Sequence, residues 1–407
     1  MKNEASSDDS NSTRQHINYR LVAIISLAVI VTLGTGFFWF GATVHSKIGA
    51  LIVESDGASV RSIASDWAAH PSIAGVIIYA EENDNPTTAV AVGTTTKKSG
   101  VPVNVDTHFH TASVGKLFTA AAVLKLAEDG VFGLDDPASQ YLPEGYLDGW
   151  VVVDGLDRSN DITIRQLVSH RSGLGQIDGD FWSYLPYFFQ PKKVWAPDEL
   201  IDLGRRIPVV GAPGKKTKYS STNYHLLGLV IEAATKKPYH EVVRSLIFNP
   251  LGMTDTFESS NEWQRGEYLH YYEGVFDISN HHPSFEFADG GFVTTARDLV
   301  TFGKALVNQQ IFDQPETYEE MIKAPDGADP NRYMGLGVWV YQTEDGRQFL
   351  KHTGYWGVNF IMFPAENQFV AYSLAQSHAD LTGFWRQIEP YVWAQTDSSS
   401  ELTQSGQ

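Results

Sequence analysis

Strand-like runs in this 407-residue chain lie near the two ends of its foldable part, so any sheet must join segments that are far apart in sequence. Ala74 to Tyr79 and Thr88 to Val92, separated by the turn-rich Asn83-Asp84-Asn85-Pro86, read as a hairpin. Strand signals return at Gly337 to Tyr341, Gln348 to His352, Val358 to Phe363 and Phe369 to Leu374, with Asp345-Gly346 and Glu366-Asn367 as turns. Helical patterns dominate the middle, from about 113 to 330, among them Lys116 to Asp129, Tyr224 to Ala234 and Ala296 to Val307. The economical architecture is α/β of the α+β kind. An antiparallel sheet made from both ends is flanked by helices, including Leu381 to Trp393, and carries a large helical insertion at about 113–330.

The amino end adds a second constraint. Residues 21 to 46 contain no Asp, Glu, Lys or Arg, and such a run is long enough to cross a bilayer. Lys2, Arg14 and Arg20 precede it and Lys47 follows, so the positive-inside bias puts the amino terminus in the cytoplasm. We therefore expect a disordered polar tail over 1–20, one transmembrane helix over 21–43, and a connecting helix over 44–70 that bends near Asp56-Gly57. The main domain follows over 71–395, outside the cytoplasm, and 396–407 forms a second disordered tail. A cleaved signal peptide is the competing reading, but the apolar run is long and lacks a clear small-x-small cleavage site.

Composition removes several function classes. With 30 Lys and Arg against 48 Asp and Glu, the formal charge is −18, so nucleic acid is not an expected partner. The absence of cysteine removes thiol nucleophiles, thiolate metal sites and disulfides together. No Gly-x-Ser-x-Gly elbow and no His-Glu-x-x-His occur either.

What remains is Ser113-Val114-Gly115-Lys116, the only Ser-x-x-Lys in the chain, opening the helix that runs through Leu117 and Leu124. Spacing of three puts both side chains on one helical face. A serine at a helix amino end sits beside free N–H groups and the positive dipole pole, which favour developing negative charge. A lysine one turn on can accept the hydroxyl proton if it is desolvated. Alone the tetrapeptide is weak, because about one is expected by chance in a chain this long. Its structural alternative is a serine N-cap beside a solvated lysine.

Two further segments follow in order: Tyr219-Ser220-Ser221-Thr222-Asn223-Tyr224, and His352-Thr353-Gly354 at the end of a strand. Here the chain resembles the serine β-lactamase and penicillin-binding superfamily, in its class C-like branch of D,D-carboxypeptidases and esterases. The resemblance covers about 70 to 395. It also takes in Ile162 to Leu167, Ser169-His170-Arg171-Ser172-Gly173-Leu174, Asn249 to Met253 and Gly290-Gly291 through Leu299.

Carried over by position, the resemblance implies Ser113 as nucleophile, Lys116 as its base partner and Tyr219 as proton relay to the leaving group. It implies an oxyanion hole from the backbone N–H of Ser113 and Tyr355, and substrate binding by Ser221, His352, Thr353 and Gly354. It implies no cofactor and no metal. The substrate would be a small molecule or a peptidoglycan-like peptide or ester, met at a bacterial inner membrane by a domain on its outer side.

Two departures bear on the substrate. Ser221 stands where the pattern has Asn, and His352 stands where β-lactamases often carry Lys, with Lys351 pointing to the other face. A neutral imidazole holds a substrate carboxylate less firmly than an ammonium, which argues against an efficient β-lactamase and for a peptidase or esterase. The rival class is an inactive sensor or scaffold that keeps the fold. His108-Phe109-His110 has the spacing of half a metal site but no completing ligands, and His281-His282 reads as a polar loop. The aromatic run Phe181 to Phe189 fits either a groove lining or loop packing.

Overall fold

The structure, a computed structural model, describes residues 59–98, 100–177, 181–261, 267–343, 345–377 and 379–393, with backbone alone at 181–184. The expected transmembrane segment 21–43, both polar tails and the first part of the connecting helix lie outside the described residues. Among the described residues, no helix is long and apolar enough to cross a membrane.

The connecting helix is described as α1 (Val60–Ala68), which starts at a capping box between Ser59 and Ser62. The hairpin β1 (Gly75–Glu82) and β2 (Asn85–Gly93) follows. A short strand, β3 (His108–His110), leads through a 3-10 turn at Ala112–Gly115 into α2 (Lys116–Glu128). The insertion supplies α3 (Ile164–Val168), α4 (Phe181–Phe189), α5 (Pro197–Arg205), α6 (Ser221–Thr235) and α7 (Tyr239–Val243). It continues with β4 (Phe257–Glu258), β5 (Tyr268–Leu269), the one-turn α8 (Phe287–Gly290), β6 (Phe292–Thr294), α9 (Ala296–Val307) and α10 (Pro315–Ile322). The chain returns as β7 (Arg332–Met334), β8 (Trp339–Gln342), β9 (Gln348–Gly354), β10 (Val358–Phe363), β11 (Gln368–Ser373) and α11 (Leu381–Val392).

Seven strands form one antiparallel sheet in the order β7-β8-β9-β10-β11-β1-β2, which joins the two ends of the chain as expected. All six residues of β10 are buried, because helices cover both faces. Alternation along the strand divides them. Phe360 and Met362 lie against Gly303 of α9, while Asn359 donates to the Tyr372 hydroxyl, whose ring packs on Phe384 and Trp385 of α11. Between sheet and insertion runs α2, ten of whose thirteen residues are buried, as an interior helix requires. Its Phe118 meets Phe248, Phe292 and Phe302 edge-on at 4.8–5.3 Å between ring centroids, each buried ring worth about 1.5–3 kcal/mol.

The structure corrects the sequence reading in three places. The first turn narrows to Asn83-Asp84, both with positive φ, while Asn85 and Pro86 join β2. A proline is tolerated there because β2 is an edge strand with no outer partner to serve. The other edge, β7, lacks any strand signal in its three residues. The insertion is not purely helical, since β4-β6-β3-β5 form a second, four-stranded sheet whose strands are too short for alternation to show.

Candidate active site

The turn that carries Ser113 is held between two glycines. In the small sheet β3 pairs with β6, and the chain then ties back through Thr111, whose N–H donates to the Phe292 carbonyl at 2.9 Å and whose hydroxyl donates to the Gly290 carbonyl at 2.9 Å. At Gly290 a Cβ would overlap the Ala112 carbonyl oxygen, and at Gly354 one would overlap the Thr111 carbonyl oxygen. Only glycine lets α8 and the end of β9 both press on this turn. Ala112 itself adopts φ 44°, left-handed backbone that costs a non-glycine residue about 1–3 kcal/mol and that clusters at functional sites.

Ser113 sits half-buried in that 3-10 turn, three residues ahead of the helix proper, which starts at Lys116 as the sequence pattern has it. Lys116, at the first position of α2, is wholly buried. Its Nζ lies 3.0 Å from Ser113 Oγ and 3.0 Å from the main-chain oxygen of Asp289, and it is ion-paired with the Asp289 carboxylate. Tyr219 lies just before α6, and its ring centroid is 4.9 Å from Lys116 Nζ. Its hydroxyl is buried without a well-aligned hydrogen bond. Burial pushes this phenol up to about 12, against the opposing pull of nearby Lys116.

Two imidazoles flank the phenol. His170, in left-handed backbone at φ 56°, stacks 4.3 Å from the Tyr219 ring. Its Nδ1 accepts the Ser220 N–H at 3.1 Å, which fixes the tautomer with hydrogen on Nε2. His352, on β9, lies 6.3 Å from the Tyr219 ring, and its Nδ1 approaches the Thr353 carbonyl at 3.1 Å. Burial, and then the Lys116 charge, hold His170 well below its ordinary value and His352 at about 3. Both rings are uncharged at neutral pH.

On the outer side, Thr353 is exposed and Tyr355 is 43% exposed, its hydroxyl donating to Glu273 Oε2 at 2.9 Å. Trp356 donates from Nε1 to Glu286 Oε1 at 2.7 Å, and the other Glu286 oxygen lies 3.4 Å from His110 Nδ1. Burial holds His110 at about 3, so it too is neutral.

The structure thus brings Ser113, Lys116, Tyr219, His352, Gly354 and Tyr355 to one place. It does not bring Ser221 to the open side. That residue is wholly buried at the start of α6, its N–H donating to Gln176 Oε1 at 2.5 Å. Asp289, Glu286 and His170 were not singled out as site residues by the sequence reading. His170 stood within a recognised segment, and Asp289 directly precedes Gly290-Gly291, so proximity to known motifs was the available signal.

His108 lies 3.6 Å from Asp255 and His110 3.4 Å from Glu286, so the two rings meet different carboxylates rather than one shared centre. Glu128, Asp129 and Asp313 gather at one point, but Lys125 Nζ occupies it at 2.6–2.9 Å. In α4, Tyr187 packs on Phe285 and His281 at 4.7 Å, which answers the aromatic run's two alternatives with packing for this ring.

Comparison with known proteins finds a family match over most of the chain. The Beta-lactamase family model matches residues 60–388. Protein Rv1367c of Mycobacterium tuberculosis is 30% identical over 273 residues, covering 60% of this chain and 66% of that one. Penicillin-binding protein 4 of Amycolatopsis lactamdurans is 31% identical over 171 residues, covering 40% and 39%. The chain spans less than two-thirds of the length of either relative. The crystal structure of D-amino acid amidase from Ochrobactrum anthropi SV3 superposes with a TM-score of 0.64 at 26% identity, covering 82% of this chain and 97% of the amidase.

Proposed function

This chain belongs to the Beta-lactamase family, and on that premise we propose that it is a serine hydrolase acylated at Ser113, acting on D-amino-acid amides, peptides or esters. The observation that carries the reading is the 3.0 Å contact between Lys116 Nζ and Ser113 Oγ in a buried setting beside the Tyr219 phenol. A substrate carbonyl meets Ser113 Oγ as its proton passes to Lys116. The oxyanion is held by the N–H groups of Ser113 and Tyr355. Tyr219, raised to about 12, carries its proton at neutral pH and so serves as the donor to the leaving group rather than as the first base. Water then releases the acid. The anchor expected over 21–43 would place this chemistry at the outer face of a bacterial inner membrane.

The electrostatics support an acyl donor that is neutral or bears an amine. The third-motif position holds an uncharged imidazole at His352, and the carboxylates of Glu273 and Glu286 flank Tyr355 and Trp356. A substrate carboxylate gains little there. The amidase named above agrees with that preference.

The test uses the full-length protein in detergent, incubated with a fluorophosphonate probe, a fluorescent penicillin and D-phenylalanine amide, beside Ser113→Ala. We expect amide hydrolysis and fluorophosphonate labelling in the wild type, both lost in the variant, with weak penicillin labelling. Failure of all three in the wild type would overturn the reading in favour of a binding module.

A further inference from the structure

We propose that Asp289 is a positioning residue for the first proton transfer, aiming the Lys116 amine at Ser113 and stabilising the ammonium that forms. The inference rests on the reading of Ser113 as nucleophile.

Lys116 Nζ meets Ser113 Oγ, the Asp289 main-chain oxygen and the Asp289 carboxylate. The carbonyl can only accept and takes one N–H from the amine, while the carboxylate is ion-paired with it. A neutral amine has two N–H groups and one lone pair. With one hydrogen held by the Asp289 carbonyl and the other drawn toward its carboxylate, the lone pair is left for the side where Ser113 lies. An ammonium places its third N–H there instead. Asp289 therefore fixes the direction of the amine in both states.

The backbone explains how one residue supplies two acceptors. Asp289 is the third residue of the one-turn α8, and its N–H donates to the Glu286 carbonyl at 2.7 Å. Gly290 then lets the main chain run against Ala112, which brings the Asp289 carbonyl and its side chain to the same amine.

The transfer balances simply. The Ser113 O–H bond breaks, its electron pair forms the Oγ–C bond, and the carbonyl π pair moves to the oxygen. The proton becomes the third N–H of Lys116. The new cation lies against a buried carboxylate, where low dielectric makes the attraction strong. Asp289 thus does for a lysine what the buried carboxylate of a Ser-His-Asp triad does for its histidine.

The other groups facing Lys116 do not supply this charge. Tyr219 and Tyr224, with ring centroids 4.9 and 5.5 Å from Nζ, are phenols that burial keeps protonated. His170 and His352 are uncharged. Among these neighbours Asp289 is the anion.

Asp289→Asn keeps the shape and an accepting oxygen but removes the charge, and it is to be made in the full-length enzyme. We expect the pH at which amide hydrolysis rises to half its plateau to fall by about one to three units, since the ammonium loses its counter-charge. The plateau kcat should drop on the order of 10- to 100-fold with KM little changed. Asp289→Glu should restore the midpoint without restoring the full rate. A second measurement does not need activity: the 13C NMR titration of the Lys116 Cε in a Ser113→Ala background should show the same downward shift with Asp289→Asn. A midpoint unmoved by Asp289→Asn in both measurements overturns the proposal, even if the rate falls. A wild type without hydrolysis sinks the nucleophile reading, and with it the role in proton transfer, while the NMR titration still decides whether Asp289 holds the Lys116 charge.

Discussion

On the helical side of the site Lys116, Asn223 and Tyr224 are wholly buried and the Lys116 side chain is paired with a carboxylate, whereas on the strand side Thr353 and Tyr355 stand exposed and the buried His352 carries no charge. The first wall is closely packed and shut off from solvent. Ser172 donates to Asn223 Oδ1 at 2.5 Å, and His170 is wedged between that amide and two tyrosine rings. The second wall is a strand end and a turn, fixed mainly where Gly354 touches the nucleophile turn. The difference teaches that proton handling is built into packed secondary structure, while recognition is left to surfaces that can change without disturbing it.

The harshest way to break that contrast is Lys116→Ala. We expect acylation of the full-length protein by the fluorophosphonate to slow by about 10²–10⁴, because the proton acceptor is gone. The same change leaves the Asp289 carboxylate buried and unpaired, and stability should fall by about 3–5 kcal/mol. Adding Asp289→Asn to Lys116→Ala should recover most of that stability in urea unfolding and none of the rate. A double variant as unstable as the single one would show that the ion pair is not what the packed wall depends on.

How much of this was legible in the sequence depends on whether the signal was local. The span of α9, Ala296–Val307, follows from its apolar periodicity and the Thr295 cap, which accepts the Asp298 N–H. β10 is likewise a continuous apolar run bounded by turns. The Ser113, Tyr219 and His352 segments stood out as motifs because each is contiguous. The Asp289–Lys116 pair was not legible, since its members are 173 positions apart and an isolated Asp before two glycines reads as a turn. Ser221 lies at a motif position whose surroundings the sequence did not show. Its place in a motif suggested substrate contact, and the helix that starts there buries it wholly. The left-handed Ala112 carries no sequence signal at all, because alanine ordinarily avoids that conformation.

A milder change sharpens the comparison from the strand side. His352→Lys places an ammonium where carboxylate-bearing substrates would be read, while leaving Ser113, Tyr219 and Asp289 as they are. We expect the ratio of penicillin acylation to D-phenylalanine amide hydrolysis to rise about tenfold, the size of one charge-assisted contact of about 1.4 kcal/mol. The ratio cancels any loss of folded protein. If it stays constant, the charge at this position does not set the substrate, and the division of labour between the walls fails.

The last effect concerns stability alone and reaches both walls. His110, His170 and His352 are held neutral by burial, with folded-state values below the ordinary 6.5, at about 3 for His110 and His352. An unfolded chain binds these protons from about pH 6.5 downward and the folded one does not, so the stability they permit is complete above 6.5 and declines as pH falls toward 3. Each uncharged ring should steepen that decline by about 1.4 kcal/mol per pH unit below 6.5. Urea midpoints measured between pH 7.5 and 5 should therefore fall, and fall less steeply in His352→Gln, which cannot take up the proton in either state. His110→Gln should flatten the curve by a similar amount. An equal slope in the wild type and in both variants would mean that these rings already accept protons in the folded state, and that the dryness ascribed to the packed wall is absent.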